Sequence, residues 1–185
     1  MNTLEWFGAI SGIVSVWLTI RQSIFTWYIG GISVSMYIVL FYQQRLYSDT
    51  LLHVFYLISS IYGWYQWTFN KKINSSIGGV RNATLSEYWK GVCLSAIIAL
   101  LLIYIFKQTN ADRLYIDAIL AAGSIWGTYW MANKIIEHWI LWLFIDSAYI
   151  YLYLDKALYV TAVLYFIFVI MVIKGYYDWR KELYA

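Results

Sequence analysis

Apolar residues gather along this chain in seven blocks, at roughly 4–20, 25–42, 47–69, 91–106, 115–132, 136–154 and 157–177. Each approaches the ~20 residues that an α-helix needs to cross a bilayer core about 30 Å thick. Short polar marks separate the blocks: Arg21-Gln22, Gln43-Gln44-Arg45, residues 107–113, Asn133-Lys134 and Asp155-Lys156. Only the stretch 70–90 is long, and its Asn, Ser and Gly content reads as a flexible linker. The pattern predicts an all-α, polytopic membrane protein with seven transmembrane helices.

Composition agrees. Of 185 residues 62% are apolar and 12% charged, with a mean hydropathy of +0.60, whereas soluble domains carry about 25% charged residues. This length holds six or seven spans and no extra domain. The net charge of +3 is spread between the apolar blocks rather than gathered in a patch, so nucleic acid is not an expected partner, and membrane lipid is. With the N-terminus outside, the inner loops hold Arg21, Lys71, Lys72, Arg81, Lys90, Lys134, Lys174, Arg180 and Lys181, against Arg45, Lys107, Arg113 and Lys156 outside. The positive-inside rule therefore predicts an outer N-terminus and a cytoplasmic C-terminus. Met1 to Trp6 has no basic n-region, so no cleaved signal peptide is expected. Cys93 is alone, which excludes an intrachain disulfide, and its apolar surroundings predict a buried, inert thiol.

Sliding the chain by 112 residues aligns 5–67 with 117–179 without a gap, at 16 identities in 63 positions. Trp27 meets Trp139, Tyr37 meets Tyr149, Leu46-Tyr47 meets Leu158-Tyr159, and Gly63 to Trp67 meets Gly175 to Trp179. Three helices per repeat plus one between them predict a 3+1+3 arrangement of two parallel repeats within one transmembrane domain, 1–185. Repeat one is 4–69, the linker helix 90–107 and repeat two 115–179. In transporters a substrate site lies near mid-bilayer where such repeats meet.

Trp139, Trp142, Asp146, Tyr149 and Tyr153 follow spacings of three and four and share one helical face. A mid-helix Asp costs about 2.5–3.5 kcal/mol on insertion scales, so it should face a cavity or a partner. An aromatic wall around one carboxylate suits a flat organic cation; the competing reading is packing Trp residues and an Asp bonded to a hydroxyl. The repeat places Gly30 opposite Trp142 and Val34 opposite Asp146, with Tyr37 opposite Tyr149. Tyr56, Ser60, Gly63, Trp64 and Trp67 form a second face, and Ser124, Gly127, Thr128 and Trp130 add small polar groups. The candidate substrate-binding residues are thus Trp139, Trp142, Asp146, Tyr149, Trp64, Trp67, Gly30, Tyr37, Ser60, Trp130 and Thr128. No phosphate-binding loop, Gly-x-Ser-x-Gly elbow or metal-ligand spacing around His53 or His138 is present, so neither a cofactor nor catalysis is expected. Passage of a ligand is the leading reading; a ligand sensor and a membrane enzyme are the alternatives.

Leu18 to Trp27, Phe41 to Tyr47, Ile61 to Trp67 and Lys134 to Trp142 together resemble the signatures of the Pnu family of bacterial vitamin transporters, across nearly the whole chain. The resemblance implies the 3+1+3 fold in the inner membrane and facilitated diffusion of an unphosphorylated vitamin. It also implies a cytoplasmic vitamin kinase that traps the substrate, and a homotrimer. Family members that carry nicotinamide riboside read Glu-Asn-Trp-x-x-Trp-x-x-x-Asn in helix six; this chain has His138 for the first Asn and Asp146 for the last. It is therefore most similar to the thiamine branch, PnuT, with thiamine the expected substrate and nicotinamide riboside or riboflavin the alternatives.

Overall fold

In the computed structural model, which describes residues 3–43, 47–70, 79–107, 114–155 and 159–184, the seven apolar blocks are seven α-helices. They are α1 (Thr3–Ile20), α2 (Phe25–Gln43), α3 (Tyr47–Phe69), α4 (Leu85–Phe106), α5 (Leu114–Ala132), α6 (His138–Asp155) and α7 (Tyr159–Leu183). At 18 to 25 residues each, they extend roughly 27–38 Å, the thickness of a bilayer core and its margins. Large apolar side chains such as Ile10, Ile32, Ile58, Leu100, Phe144 and Ile170 face outward, a surface for which hydrocarbon is the fitting solvent. Leu85–Phe106 and Thr161–Leu183 are each long and apolar enough to cross alone; α6, with Asp146 and three tyrosines, relies on its neighbours.

Within the first three helices α2 packs against α1 and α3, and within the last three α6 packs against α5 and α7. The two groups meet along α1 with α7 and α3 with α5, while α4 lies against α5. This packing differs from expectation in two places. Helix α4 starts at Leu85, six residues before its apolar block, because Thr84 and Glu87 form a reciprocal capping box that satisfies its first amides. The residues just before it are anchored: Arg81 N donates to Lys134 O (3.1 Å), Ile136 N to Arg81 O (3.0 Å) and Ala83 N to Glu137 Oε2 (2.9 Å). Cys93 is exposed rather than buried, since among the described helices α4 packs on α5 alone and turns its other faces outward. Arg45, Lys71, Lys72, Arg113, Lys156, Leu46 and Leu158 lie outside the described residues.

Positions 112 apart share local geometry. Gln22 (φ 51°) follows α1 and Lys134 (φ 50°) follows α5, both in the left-handed region although neither is glycine. Each turn closes alike, through Gln22 N to Thr19 O (2.9 Å) and Lys134 N to Met131 O (3.1 Å), then Ser23 N to Leu18 O (2.9 Å) and Ile135 N to Trp130 O (3.0 Å). These bonds take up the last helical carbonyls and offset the left-handed residue.

Candidate substrate site

Beside these two turns sits a buried aromatic layer. Trp27, Trp67, Trp139 and Trp179 are at most 6% exposed. Trp27 stands edge-on to Trp67 (5.4 Å, 88°) and Trp139 edge-on to Trp179 (5.5 Å, 89°). Gly63 and Gly175 make room for this: a Cβ at Gly63 would overlap the Trp27 ring, and one at Gly175 would come within 2.6 Å of Trp139. Trp67 Nε1 donates to Ala132 O (3.0 Å) and Trp179 Nε1 to Ile20 O (3.1 Å). Two expected substrate contacts, Trp67 and Trp139, therefore belong to a packed layer. His138 is fully buried in it, its Nδ1 2.7 Å from Ile135 O and its ring 4.8 Å from that of Trp179. Its place is explained by the turn.

Further along α6 the chemistry changes. Trp142 packs on α5, where a Cβ at Gly127 would lie 3.3 Å from its Nε1. One turn on, Asp146 is 5% exposed and makes no hydrogen bond or ion pair with any described residue. Beyond it lies a tyrosine cluster: Tyr149 stacks with Tyr153 (5.8 Å), and Tyr165 of α7 contacts both, at 5.2 Å and 5.1 Å. The Asp146 carboxylate lies near Tyr149 and Tyr165. Tyr56 of α3 lies beside Ser124 of α5 and near Tyr149. Asp146 thus sits beside the seam where α3 and α5 join the two helical groups. An uncompensated carboxylate among phenol rings attracts a flat cation through charge and through the ring faces.

The first three helices carry a related cluster without the carboxylate. Tyr37 lies 5.6 Å from His53, which lies 5.8 Å from Tyr56; the matched pairs Tyr149–Tyr165 and Tyr165–Phe168 lie at 5.2 Å and 5.6 Å. Tyr165 and His53 were not among the residues expected to matter. The 112-residue alignment pairs them beside Tyr149 and Tyr37, and that was the available signal.

The remaining candidates do not converge on Asp146. A Cβ at Gly30 would lie 3.6 Å from Ser15 Oγ, and the Tyr37 hydroxyl presses on Gly8. Ser60 and Trp64 line a cavity of about 810 Å³ between α2 and α3, together with Tyr28, Gly31 and Met36. That cavity is apolar and opens outward beside the exposed Tyr28, Ile32 and Ile61, and Trp64 Nε1 already donates to the Tyr28 hydroxyl (2.6 Å). Trp130 is buried on the α4 side, edge-on to Tyr88 at 5.5 Å. Thr128 donates to Ser124 O (2.8 Å). No group of His, Cys, Asp and Glu able to hold a metal occurs among the described residues.

Outside the spans, two cations flank the α5–α6 turn. Arg81 forms a two-bonded pair with Glu87 (2.9 and 2.6 Å), which holds its guanidinium even more firmly charged. Lys134 is 7% exposed, its Nζ 5.2 Å from the centre of the Trp67 ring; burial pushes its pKa below the ordinary value, and Glu182 opposes that shift.

Against this geometry the comparisons are consistent. Residues 2–181 match the family described as "Nicotinamide mononucleotide transporter". Among similar proteins, the "Nicotinamide riboside transporter PnuC" of Escherichia coli (strain K12) is 23% identical over 97% of this chain and 85% of its own length. The "Riboflavin/roseoflavin transporter RibM" of Streptomyces davaonensis is 26% identical over 95% of this chain and 83% of its own. A solved structure, "Crystal structure of the Vitamin B3 transporter PnuC", superimposes with a TM-score of 0.77 at 20% identity, covering 98% of this chain and 82% of that one.

Proposed function

Because the chain belongs to the nicotinamide mononucleotide transporter family, we propose that it carries a flat, cationic, unphosphorylated vitamin across the bacterial inner membrane, with thiamine as the first reading. The family assignment makes it a membrane transporter of vitamin-type substrates; its matched relatives are transporters, not enzymes. One observation supports a cation: Asp146 is buried without a partner among the described residues, on the α6 face that also bears Trp142 and Tyr149. A lone buried carboxylate is costly, and a cationic ligand is the simplest group to offset it. Nicotinamide riboside, also a cation, is the second reading, favoured by the name of the Escherichia coli relative. Neutral riboflavin, named for the Streptomyces relative, gains least from Asp146. His138, whose ring the turn holds, carries no weight in choosing between them.

In this reading Trp142 and Tyr149 flank the ring of the substrate, Asp146 faces its positive charge, and Tyr56 closes the pocket from the first half. The Trp139 and Trp67 layer supports that pocket from below, and Gly30 and Tyr37 lie on α2, which among the described residues packs on α1 and α3 and not on α6. The halves descend from a duplication, which the paired turns and paired Trp–Gly contacts support. Passage is by facilitated diffusion, with a cytoplasmic kinase trapping the product, an outer N-terminus and assembly as a homotrimer.

The test is a tryptophan-fluorescence titration with thiamine, nicotinamide riboside and riboflavin, on the wild type and on Asp146→Asn. Loss of a buried charge contact costs about 2–5 kcal/mol. Thiamine affinity should therefore fall at least about tenfold in the variant, with riboflavin unaffected. Equal thiamine affinity in the two proteins sinks the role of Asp146; tighter binding of nicotinamide riboside moves the substrate to the second reading.

A further inference from the structure

Among the described residues the backbones of the two halves approach each other where α1 meets α7 and where α3 meets α5, and each seam carries one indole bond at the same end of the bundle. Helices α1 and α5 end at Ile20 and Ala132, where a left-handed residue two places on turns the chain away. The last carbonyls of a helix have no acceptor role within it. Here Ile20 O accepts from Trp179 of the opposite half and Ala132 O accepts from Trp67, again of the opposite half. Both donors are buried, at 0% and 6% exposure, so water does not compete for either carbonyl. Between them the Trp67 and Trp179 rings meet at 6.4 Å, tilted by 47°, with Trp27 and Trp139 edge-on outside.

We propose that Trp67 and Trp179 are the gate residues of this transporter at the end bearing the α1–α2 and α5–α6 turns, each latching the other half's helix C-terminus. The proposal rests on the chain being a transporter and not on which vitamin it carries. A ligand passing between the halves at this end must part both seams, and the two bonds must break as it does so. Each broken bond leaves a buried carbonyl unpaired, which holds the gate closed until a substrate or a conformational change offsets it. Polar contacts at the rim differ between the seams. Beside Trp67, neutral amides link Gln66, Asn70 and Asn133; beside Trp179, Lys174 pairs with Asp178 and Gln22 bonds Glu182. Trp27 and Trp139, edge-on to the latches, are positioning residues.

The test uses the full chain with Cys93→Ala, so that a cysteine introduced at buried Ser124 is the sole thiol. Reaction with a small cationic thiol reagent is timed from each membrane side in oriented vesicles. Trp67→Phe with Trp179→Phe leaves one aromatic ring at each position and removes both N–H donors, at the same loss of ring volume per site as in the control below. We expect reaction from the turn side to quicken about tenfold, two neutral hydrogen bonds being at stake, and reaction from the other side to stay unchanged. Trp126→Phe is the control: its Nε1 is buried without a partner, so its loss should change neither rate. Turn-side reaction unchanged in the double variant overturns the proposal, as does equal quickening from both sides, which would mean general loosening. Vitamin binding, titrated separately, tells failure of the gate from failure of the substrate reading.

Discussion

Gly175→Ala adds one methyl group where the structure has no space for it. Its Cβ would meet Trp139 Cη2 and Cζ2 at 2.6 Å and Cε2 at 2.8 Å, and ordinary contact begins at 3.4 Å. The ring must retreat by roughly 0.8 Å, a displacement that a well-packed interior resists. Its movement is hindered, because the Trp179 ring stands edge-on at 5.5 Å and the His138 ring lies 4.4 Å away. Overpacking of this kind costs about 1–3 kcal/mol. The same substitution at Gly31 of α2 meets nothing nearer than 3.9 Å, and there the gain in helix propensity favours Ala by up to about 1 kcal/mol.

Two identical chemical changes are therefore expected to have opposite signs. The assay is thermal unfolding in detergent, followed by size-exclusion recovery. For chains of this length about 1 kcal/mol corresponds to roughly 2–4 °C, so Gly175→Ala should lower the midpoint by about 2–12 °C and Gly31→Ala should hold or raise it. Trimming the neighbour, with Trp139→Phe added to Gly175→Ala, should recover part of the loss. A Gly175→Ala protein as stable as the wild type would refute the packing argument, and with it the reason for glycine at both 63 and 175.

Lys134 should make stability depend on alkaline pH. Its pKa in the folded protein lies below the ordinary 10.5 because burial disfavours the ammonium, so between the two values the unfolded chain binds more protons than the native one. Stability from this group therefore rises with pH through that window, and the melting difference between wild type and Lys134→Gln should shift in the wild type's favour from about pH 8 to about pH 10; a constant difference would refute it. Glu137→Ala removes the acceptor of Ala83 N and leaves that amide unpaired, at about 1–3 kcal/mol. Hydrogen exchange across 81–88 should quicken while the α6 interior keeps its protection, and unaltered exchange would mean that the capping box alone holds the start of α4.

Periodicity and hydropathy were enough to place seven helices, because a spanning helix must be apolar over its whole length and so announces itself locally. The start of α4 escaped that signal, since Thr84 and Glu87 set it by hydrogen bonding and not by hydropathy. The cost of Asp146 was also legible: a carboxylate inside an apolar block needs a reason wherever its helix sits. Its surroundings were not legible, because Tyr165 comes from α7 and Tyr56, near Tyr149, comes from α3, and both are brought there only through packing.

Trp139 shows the limit most clearly. It shares a helical face with Trp142 and Asp146 in sequence, yet helix α6 enters from the turn at the level of the Trp179 layer and only reaches Asp146 two turns later. A stripe along one helix crosses several depths of a membrane protein, and each depth meets different neighbours. At the depth of Trp139 those neighbours are Gly175 and Trp179, whose matched partners Gly63 and Trp67 hold Trp27 in the same way. The Trp and Gly residues that recur at the 112-residue spacing here are thus ones that both halves need to pack. Asp146 faces Val34 across that alignment and Trp142 faces Gly30, so the positions where the halves disagree are the ones on which the proposed recognition of an asymmetric substrate rests.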